Sequence, residues 1–179
     1  MKLIVGFILL FFLGACSDFN RPKQLDKIEL LETQLKELKV VFDSDSMELI
    51  VQEINTIESR LQMYFETDTL QLELIKKLDS YKRVKPALMF VLENENRIID
   101  TRNQRLESLS KLRFDIENGV GLRDKYNENI RFEEEEMNKY CVFVNYCDST
   151  TTYSFKTFNT LQNDVRSFSL RLEEKYKVQ

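Results

Sequence analysis

Apolar residues recur along most of this chain at alternating spacings of three and four, with charged residues between them. This period places the apolar side chains on one stripe of an α-helix and is the repeat of coiled-coil packing. Residues 43–46 separate the first two stripes and favour a turn or a helix cap, because they are small and polar. Asp45 and Glu48 have the spacing of a capping box. The first stripe is Ile28, Leu31, Leu35, Leu38 and Phe42, and the second is Met47, Ile50, Ile54, Ile57, Leu61 and Tyr64.

The pattern predicts a third, longer helix from Leu70 to Asn118. Gly119 follows directly and can take the left-handed conformation that commonly ends a helix. Pro86 lacks a backbone donor, so we expect it to kink this helix. Residues 87–92 are apolar on every side, which predicts that they form the most buried layer of the fold.

The rest of the chain predicts two more helices. The first begins at Leu122 and reaches about Tyr140, and its inward positions are Tyr126, Ile130, Met137 and Cys141. Residues 140–147 are aromatic and β-branched, which fits either a buried continuation of the helix or an extended segment. Residues 148–152 are interpreted as a loop. A last stripe, in residues 158–176, predicts the final helix.

These patterns predict an all-α fold, an elongated antiparallel bundle of four or five helices with coiled-coil packing. The composition agrees, because 179 residues include only 4 glycines and 2 prolines. Few positions therefore require special backbone angles.

The N-terminal stretch has a different pattern. Lys2 precedes an apolar run of about eleven residues, 3–13, which has the composition of a secretory signal peptide and is short for a membrane span. The run ends in Leu13-Gly14-Ala15-Cys16, which resembles the lipobox of bacterial lipoproteins. The resemblance implies cleavage between Ala15 and Cys16 and acylation of Cys16. An ordinary signal peptide or a single anchor helix, with Cys16 incidental, is the alternative.

The resemblance also implies a location and a division of the chain. Residues 1–15 would be the lipoprotein signal peptide, 16–23 the lipidated N-terminus and tether, and 24–179 the helical bundle. Ser17 after the cysteine favours an outer membrane anchor facing the periplasm, and the single acid at Asp18 makes surface display less expected. In arrangement the mature part resembles small helical lipoproteins of Bacteroidota and, more distantly, cell-wall-binding lipoproteins of Gram-positive bacteria.

Several absences limit the chemistry. The chain has no histidine, which excludes Ser-His-Asp and Cys-His hydrolases, histidine-ligated zinc and Glu-x-x-His di-iron bundles. Basic and acidic residues alternate without a Lys/Arg block, so nucleic acid is not an expected partner. No phosphate-binding loop or nucleophile motif occurs. We therefore predict a protein that is not an enzyme and that has no cofactor and no metal.

The run of four carboxylates from Glu133 to Glu136 has two interpretations. It could hold a divalent cation, although such sites need oxygens that converge from several directions. It could instead be an ion-paired helix face. If the chain folds back at residues 119–121, residues 134–136 lie near Arg105 and Arg102, and we predict that pairing as structural.

Cys141 and Cys147 form the second candidate pair. An exported protein with two thiols besides Cys16 could form a disulfide between them. Six residues of α-helix separate two Cα atoms by roughly 9 Å of rise, beyond the limit of about 7 Å for a bridge. The disulfide therefore requires the helix to end between the cysteines. Two reduced, buried thiols are the alternative.

The expected function is that of an envelope lipoprotein held to the membrane by its lipid. Its helical domain would be a structural or docking module for another envelope protein or for peptidoglycan. The alternative is a periplasmic carrier of an apolar ligand, which predicts a pocket larger than about 300 Å³ lined by Leu88, Phe90 and Phe143.

Overall fold

The computed structural model describes residues 20–38, 42–64 and 72–177. In these residues the chain forms four α-helices, one short 3-10 helix and no strand. The α-helices are α1 (Arg21–Glu37), α2 (Ser44–Tyr64), α3 (Leu72–Asn118) and α4 (Tyr126–Lys177), and the 3-10 helix is Arg123–Lys125. The helices pack antiparallel, as the sequence predicts, and the fold class is all-α.

Helix α1 is shorter than its apolar stripe predicts. The helix ends at Glu37, and Leu38 has the extended angles φ −63° and ψ 115°. Phe42 lies outside any helix. Arg102 donates hydrogen bonds to the carbonyl oxygens of Leu35 and Lys36, at 3.1 and 3.2 Å, so a side chain of α3 satisfies acceptors that a longer helix would have used.

The start of α2 also differs from the prediction. The Oδ1 atom of Asp43 accepts a hydrogen bond from the backbone N–H of Ser46 at 3.1 Å, so Asp43 caps the helix in place of the Asp45–Glu48 pair. The contacts with Ser46, side chain first and backbone second, lower the pKa of the Asp43 carboxyl. A carboxylate in this position satisfies one donor of the first turn.

Helix α3 continues through Pro86, which lies on the exposed side of the helix. The prediction that residues 87–92 are buried on all sides is wrong. Leu88 and Val91 are fully buried, but Met89 and Phe90 on the opposite side are each 39% exposed. A helix that packs against two neighbours still leaves one face in water, and these two side chains occupy it.

A glycine-rich turn connects α3 to α4. Val120 N–H donates to Asp115 O at 2.8 Å and Gly119 N–H to Ile116 O at 3.4 Å, which is the hydrogen-bond pair of a Schellman motif. Gly119 has φ 64° and Gly121 has φ 83°. This left-handed region suits glycine, because a Cβ atom is strained there.

Helix α4 is unbroken from Tyr126 to Lys177, so the predicted loop at residues 148–152 is wrong. That segment has weak helix formers but no glycine or proline to stop the helix. Its hydroxyls are accommodated locally, since Thr151 Oγ1 donates to the carbonyl oxygen of Cys147 at 2.9 Å. The buried face continues on both sides of the segment, at Val144, Cys147, Ser154 and Phe158.

The chain divides into two compact units. Unit 1 contains α1 and residues Arg102–Asn138, and its helices are joined by interhelical ion pairs around an apolar interior. The Tyr126 hydroxyl lies 2.9 Å from Asp115 O and 2.5 Å from Val120 O, which fastens the α3–α4 turn to the start of α4. The buried residues of this unit are Gln24, Ile28, Leu31, Leu35, Leu109, Leu112, Ile116, Tyr126, Ile130 and Met137.

Unit 2 contains Lys39–Thr101 and Lys139–Gln179. Helix α2 packs on the first part of α3 and the second part of α4, and the Tyr140 hydroxyl donates to Ile98 O at 3.1 Å. Its largest interior ring, Tyr81, stacks on Phe158 with 5.7 Å between centroids. Most positions of the predicted second and last stripes are buried here, among them Met47, Ile54, Ile57, Leu61, Phe158, Val165, Phe168 and Leu172.

Candidate functional site

The residues predicted to carry the lipid lie outside the described part of the chain. Ala15 and Cys16 precede Asn20, the first described residue, so cleavage and acylation stay predictions. Within the described ranges, no helix has a stretch both long and apolar enough to cross a membrane.

The glutamate run lies in unit 1 and is ion-paired along its whole length. Arg105 bridges two of its members, with Nη1 3.3 Å from Glu133 Oε2 and Nη2 3.0 Å from Glu136 Oε2. The predicted pairing with Arg105 is confirmed for Glu136, whereas Glu133 was not among the predicted partners. Glu134 lies 3.2 Å from the amine of Lys27. The remaining member, Glu135, is 3.7 Å from Arg131 on the exposed side of α4.

The predicted pairing of Arg102 with this run is wrong. Arg102 caps the last carbonyls of α1 instead, because a third helix lies alongside the α3–α4 hairpin. The same helix supplies an ion pair that the hairpin argument did not include. Arg113 holds Glu32 with two nitrogens, Nε at 3.3 Å and Nη2 at 3.0 Å, and this fork is the geometry in which arginine binds a carboxylate most specifically.

Glu133 and Glu136 share Arg105, whereas Glu134 and Glu135 pair with Lys27 and Arg131, so the four carboxylates do not converge on one point. Among the residues that the structure describes, no group of three or more Cys, Asp or Glu side chains is placed to hold a metal ion. The arrangement of the run therefore supports helix alignment, since Glu133 and Glu136 pair with α3 through Arg105 and Glu134 pairs with α1 through Lys27.

Cys141 and Cys147 are free thiols on one continuous helix. The helix end that a bridge between them requires is not present in α4. Burial raises the pKa of both thiols, so neither has the low pKa of a reactive cysteine. The disulfide stays a prediction that mass spectrometry of the exported protein, with and without reductant, can test. A bridged form would have to lose helix between the two residues.

Unit 2 has a cluster of rings at its surface, in which Phe90 and Tyr146 are exposed and Phe143 is half-buried. Of these three rings, the sequence predicted Phe90 to be buried. Phe90 meets Phe143 edge-on, with 6.3 Å between centroids and an interplanar angle of 78°, and meets Tyr146 at 5.9 Å and 82°. The guanidinium carbon of Arg97 lies 5.8 Å from the centre of the Phe143 ring, within cation–π distance. We call these four residues the aromatic surface.

The aromatic surface continues along α4. Val142, Tyr146 and Tyr153 are all exposed, and their spacings of four and seven place them on one helix face. Residues 140–152 include one charged residue, Asp148. An uncharged face with several rings differs from the ion-paired glutamate run on the earlier part of the same helix. The sequence contains a signal for this exposed face. Residues 140–147 are apolar on more than one side of the helix, and two apolar stripes on one stretch of helix cannot both face inward.

A pocket of about 220 Å³ lies in unit 2 between α2 and α3. It is lined by Glu58, Leu61, Gln62 and Lys82. Its lining includes none of Leu88, Phe90 and Phe143, the residues around which the carrier alternative was built.

Tyr81 is a buried titratable group of unit 2. Its ring is 1% exposed, and its hydroxyl has no hydrogen-bond partner among the described residues. Burial raises the pKa of Tyr81, the carboxylate of Glu53 raises it further, and Arg166 opposes the rise. The phenol is therefore neutral at every physiological pH.

The chain matches no protein-family model, no curated protein and no solved structure.

Proposed function

We propose that this protein is a lipid-anchored protein of the bacterial cell envelope whose helical bundle is a non-catalytic docking module. The resemblance of residues 13–16 to a lipobox supports the anchor at Cys16. The exposed aromatic surface of unit 2 supports docking and is the observation that carries the proposal. The expected site of action is the periplasmic face of the outer membrane.

The composition of the aromatic surface favours a protein partner. Tyrosine, phenylalanine and arginine are enriched where protein interfaces derive most of their binding energy. Flat stacking of a sugar on Phe143 would compete with Arg97, which already lies over that ring at 5.8 Å. We therefore propose another envelope protein as the partner, and peptidoglycan becomes an outcome of the test.

The anchor is tested by mass spectrometry of the N-terminal peptide from the membrane fraction. The expected peptide begins at Cys16 and has the added mass of a diacylglyceryl group. A Cys16→Ser variant should lack this mass and leave the membrane fraction after washing. A mature N-terminus at another residue, or Cys16 without lipid, would remove the lipoprotein assignment.

Docking is tested in cells with a photo-crosslinking amino acid at Tyr146, which is 57% exposed. Leu49 on α2 is a matched control, since it belongs to the same unit and is 65% exposed. We expect one identified envelope protein to be captured from position 146 and not from position 49, and the capture to be lost when Arg97→Ala is added.

Capture of muropeptides would assign the surface to peptidoglycan. Equal capture from both positions, or none from position 146, would contradict docking through this surface.

A further inference from the structure

The turn between α3 and α4 exposes apolar side chains where a soluble bundle usually has polar ones. Val120 and Leu122 alternate with the glycines of the turn, and Leu122 is 70% exposed. Phe114, near the end of α3, and Phe132, near the start of α4, are also exposed. Single exposed apolar residues are common on protein surfaces, but four of them near one turn of unit 1 require an explanation.

The backbone holds these side chains outward. In a Schellman motif, the residue after the left-handed glycine commonly packs on an apolar residue of the last helical turn. That residue is Val120, and the motif places it beside Asp115, whose carboxylate cannot cover it, and Phe114, which is itself exposed. The Tyr126 hydroxyl contacts Val120 O and fixes the turn further. The apolar turn is thus held rigidly while its side chains stay exposed.

Side-chain contacts place the first turn of α1 level with this turn. Gln24 Nε2 donates to Asn127 Oδ1 at 2.9 Å, and Asn127 is the second residue of α4. Further along α1, Glu32 pairs with Arg113 and the carbonyl of Leu35 with Arg102, so α1 proceeds away from the turn. The chain that precedes α1 therefore enters unit 1 at the end where Val120 and Leu122 are exposed.

The length of that preceding segment limits where a lipid at Cys16 can be. Residues 16–20 span at most about 18 Å even when fully extended. The bilayer surface that receives the acyl chains therefore lies close to the apolar turn. The membrane can cover the exposed side chains of the turn without a separate binding partner.

We propose that Val120 and Leu122 insert into the boundary between headgroups and acyl chains of the membrane that holds the lipid. This proposal rests on the anchor under "Proposed function". Two aliphatic side chains bind a bilayer too weakly to hold a protein by themselves. They become effective here because the tether keeps them at high local concentration beside the membrane. The result is a two-point attachment that fixes the orientation of unit 1 on the bilayer.

The absence of tryptophan from the chain allows a single-reporter experiment. Full-length lipidated Leu122→Trp is reconstituted into phosphatidylcholine–phosphatidylglycerol vesicles whose phosphatidylcholine carries bromine on the upper acyl chain. Leu30→Trp is the matched control, because Leu30 is 58% exposed in the same unit but lies nine residues, roughly 14 Å, along α1 from Arg21.

We expect the emission of the Leu122→Trp protein to shift to the blue and to be quenched roughly twofold or more, as for an interfacial residue. The emission of the Leu30→Trp protein should be that of an indole in water, with no quenching by the brominated lipid.

A second measurement uses the native turn, because tryptophan itself prefers membrane interfaces. Amide hydrogen exchange at residues 120–125 of the lipidated wild type should be several-fold slower on vesicles than in detergent-free solution of the Cys16→Ser protein, and that of residues 28–35 should not change. Both proteins should have the same helix content by circular dichroism.

The outcomes separate this proposal from the anchor. Protein that floats with vesicles and has an acylated Cys16, but has an unquenched indole at position 122 and unchanged exchange at the turn, overturns insertion and leaves the lipoprotein assignment intact. Equal quenching of the two tryptophan variants also overturns it, because contact would then not be specific to the turn. Protein that lacks the acyl group and does not float overturns the anchor and this proposal together.

Discussion

Units 1 and 2 have the same spacing of apolar residues, but different polar and aromatic contacts join their helices. In unit 1, Arg105 bridges two carboxylates and Arg113 holds Glu32 by a fork. In unit 2, the described pairs between helices join one cation to one carboxylate, as Lys85 with Glu58, and two interior rings, Tyr81 and Phe158, stack on each other. The difference shows that an apolar stripe provides burial, whereas the residues beside it determine which parts of two helices lie opposite each other.

The largest expected effect on stability comes from removal of Phe158, the ring that stacks on Tyr81 in unit 2. We expect Phe158→Ala to lower the free energy of unfolding by roughly 3–5 kcal/mol, because a buried ring leaves a cavity. Phe143→Ala removes a half-buried ring of the aromatic surface in the same unit and should cost less, roughly 1 kcal/mol. Urea unfolding followed by circular dichroism measures both. Equal losses would mean that the inner stack and the outer cluster contribute alike to stability.

The charge network of unit 1 is expected to have a smaller effect. The Arg105 side chain is 22% exposed and that of Glu133 is 12% exposed, so the pair lies between the surface and buried extremes. Arg105→Met should cost about 2 kcal/mol, more than the roughly 0.2–1 kcal/mol of exposed pairs and less than the roughly 3–5 kcal/mol of buried ones.

Arg131→Met is the control for Arg105. The Arg131–Glu135 pair is exposed and lies within α4, the helix that contains the glutamate run. Its loss should change stability by under about 0.5 kcal/mol. Urea unfolding at low and high salt measures both variants. If Arg105→Met behaves like the control, the alignment of unit 1 comes from apolar packing alone.

The smallest expected effect at neutral pH is at Tyr81. Removal of a buried hydroxyl that has no partner among the described residues should be neutral or slightly stabilising, within about 1 kcal/mol. Tyr81→Phe should therefore unfold at the same urea concentration as the wild type or a higher one. A clear loss would indicate that water or another group satisfies the hydroxyl.

Alkaline pH enlarges the effect of the same substitution. The pKa of Tyr81 is raised in the folded protein, while the unfolded phenol ionises near its ordinary value of about 10. The stability contributed by this group is therefore fully present below about pH 10 and falls as pH rises further, because only the unfolded chain releases the proton. Urea unfolding between about pH 9 and pH 11 should show a smaller fall for Tyr81→Phe than for the wild type. Equal falls would assign the alkaline loss to other groups.

The heptad spacing predicted most of the interior, because a helix that contributes to a bundle must bury its apolar stripe. Ile28, Leu35, Ile54 and Ile57 are buried as expected. The same logic failed for Phe90, because the described neighbours of α3 already cover its first apolar stripe and leave the second exposed. Pairwise reasoning about the hairpin found Arg105 with the glutamate run, but it assigned Arg102 wrongly, since the position of α1 cannot be read from the hairpin alone.

The predicted loop at residues 148–152 failed for a reason that is visible in the sequence. Tyr140, Val144, Cys147, Thr151, Ser154 and Phe158 follow one another at spacings of four, three, four, three and four. The heptad therefore continues, with hydroxyl residues at two of its inward positions. Local propensity favoured a loop, and burial of the rest of the helix face overrides it.

Those two inward hydroxyl residues have a further consequence for α4. A long helix with only aliphatic inward positions could slide by one heptad against its neighbours and lose little packing. Polar residues at single core positions penalise such a displacement, because it moves them against partners that suit only apolar side chains. Thr151 Oγ1 lies 3.9 Å from Met47 Sδ, and a seven-residue slip would replace it there with Phe158 or Val144. Thr151 and Ser154 thus favour one axial register of α4 against its neighbours.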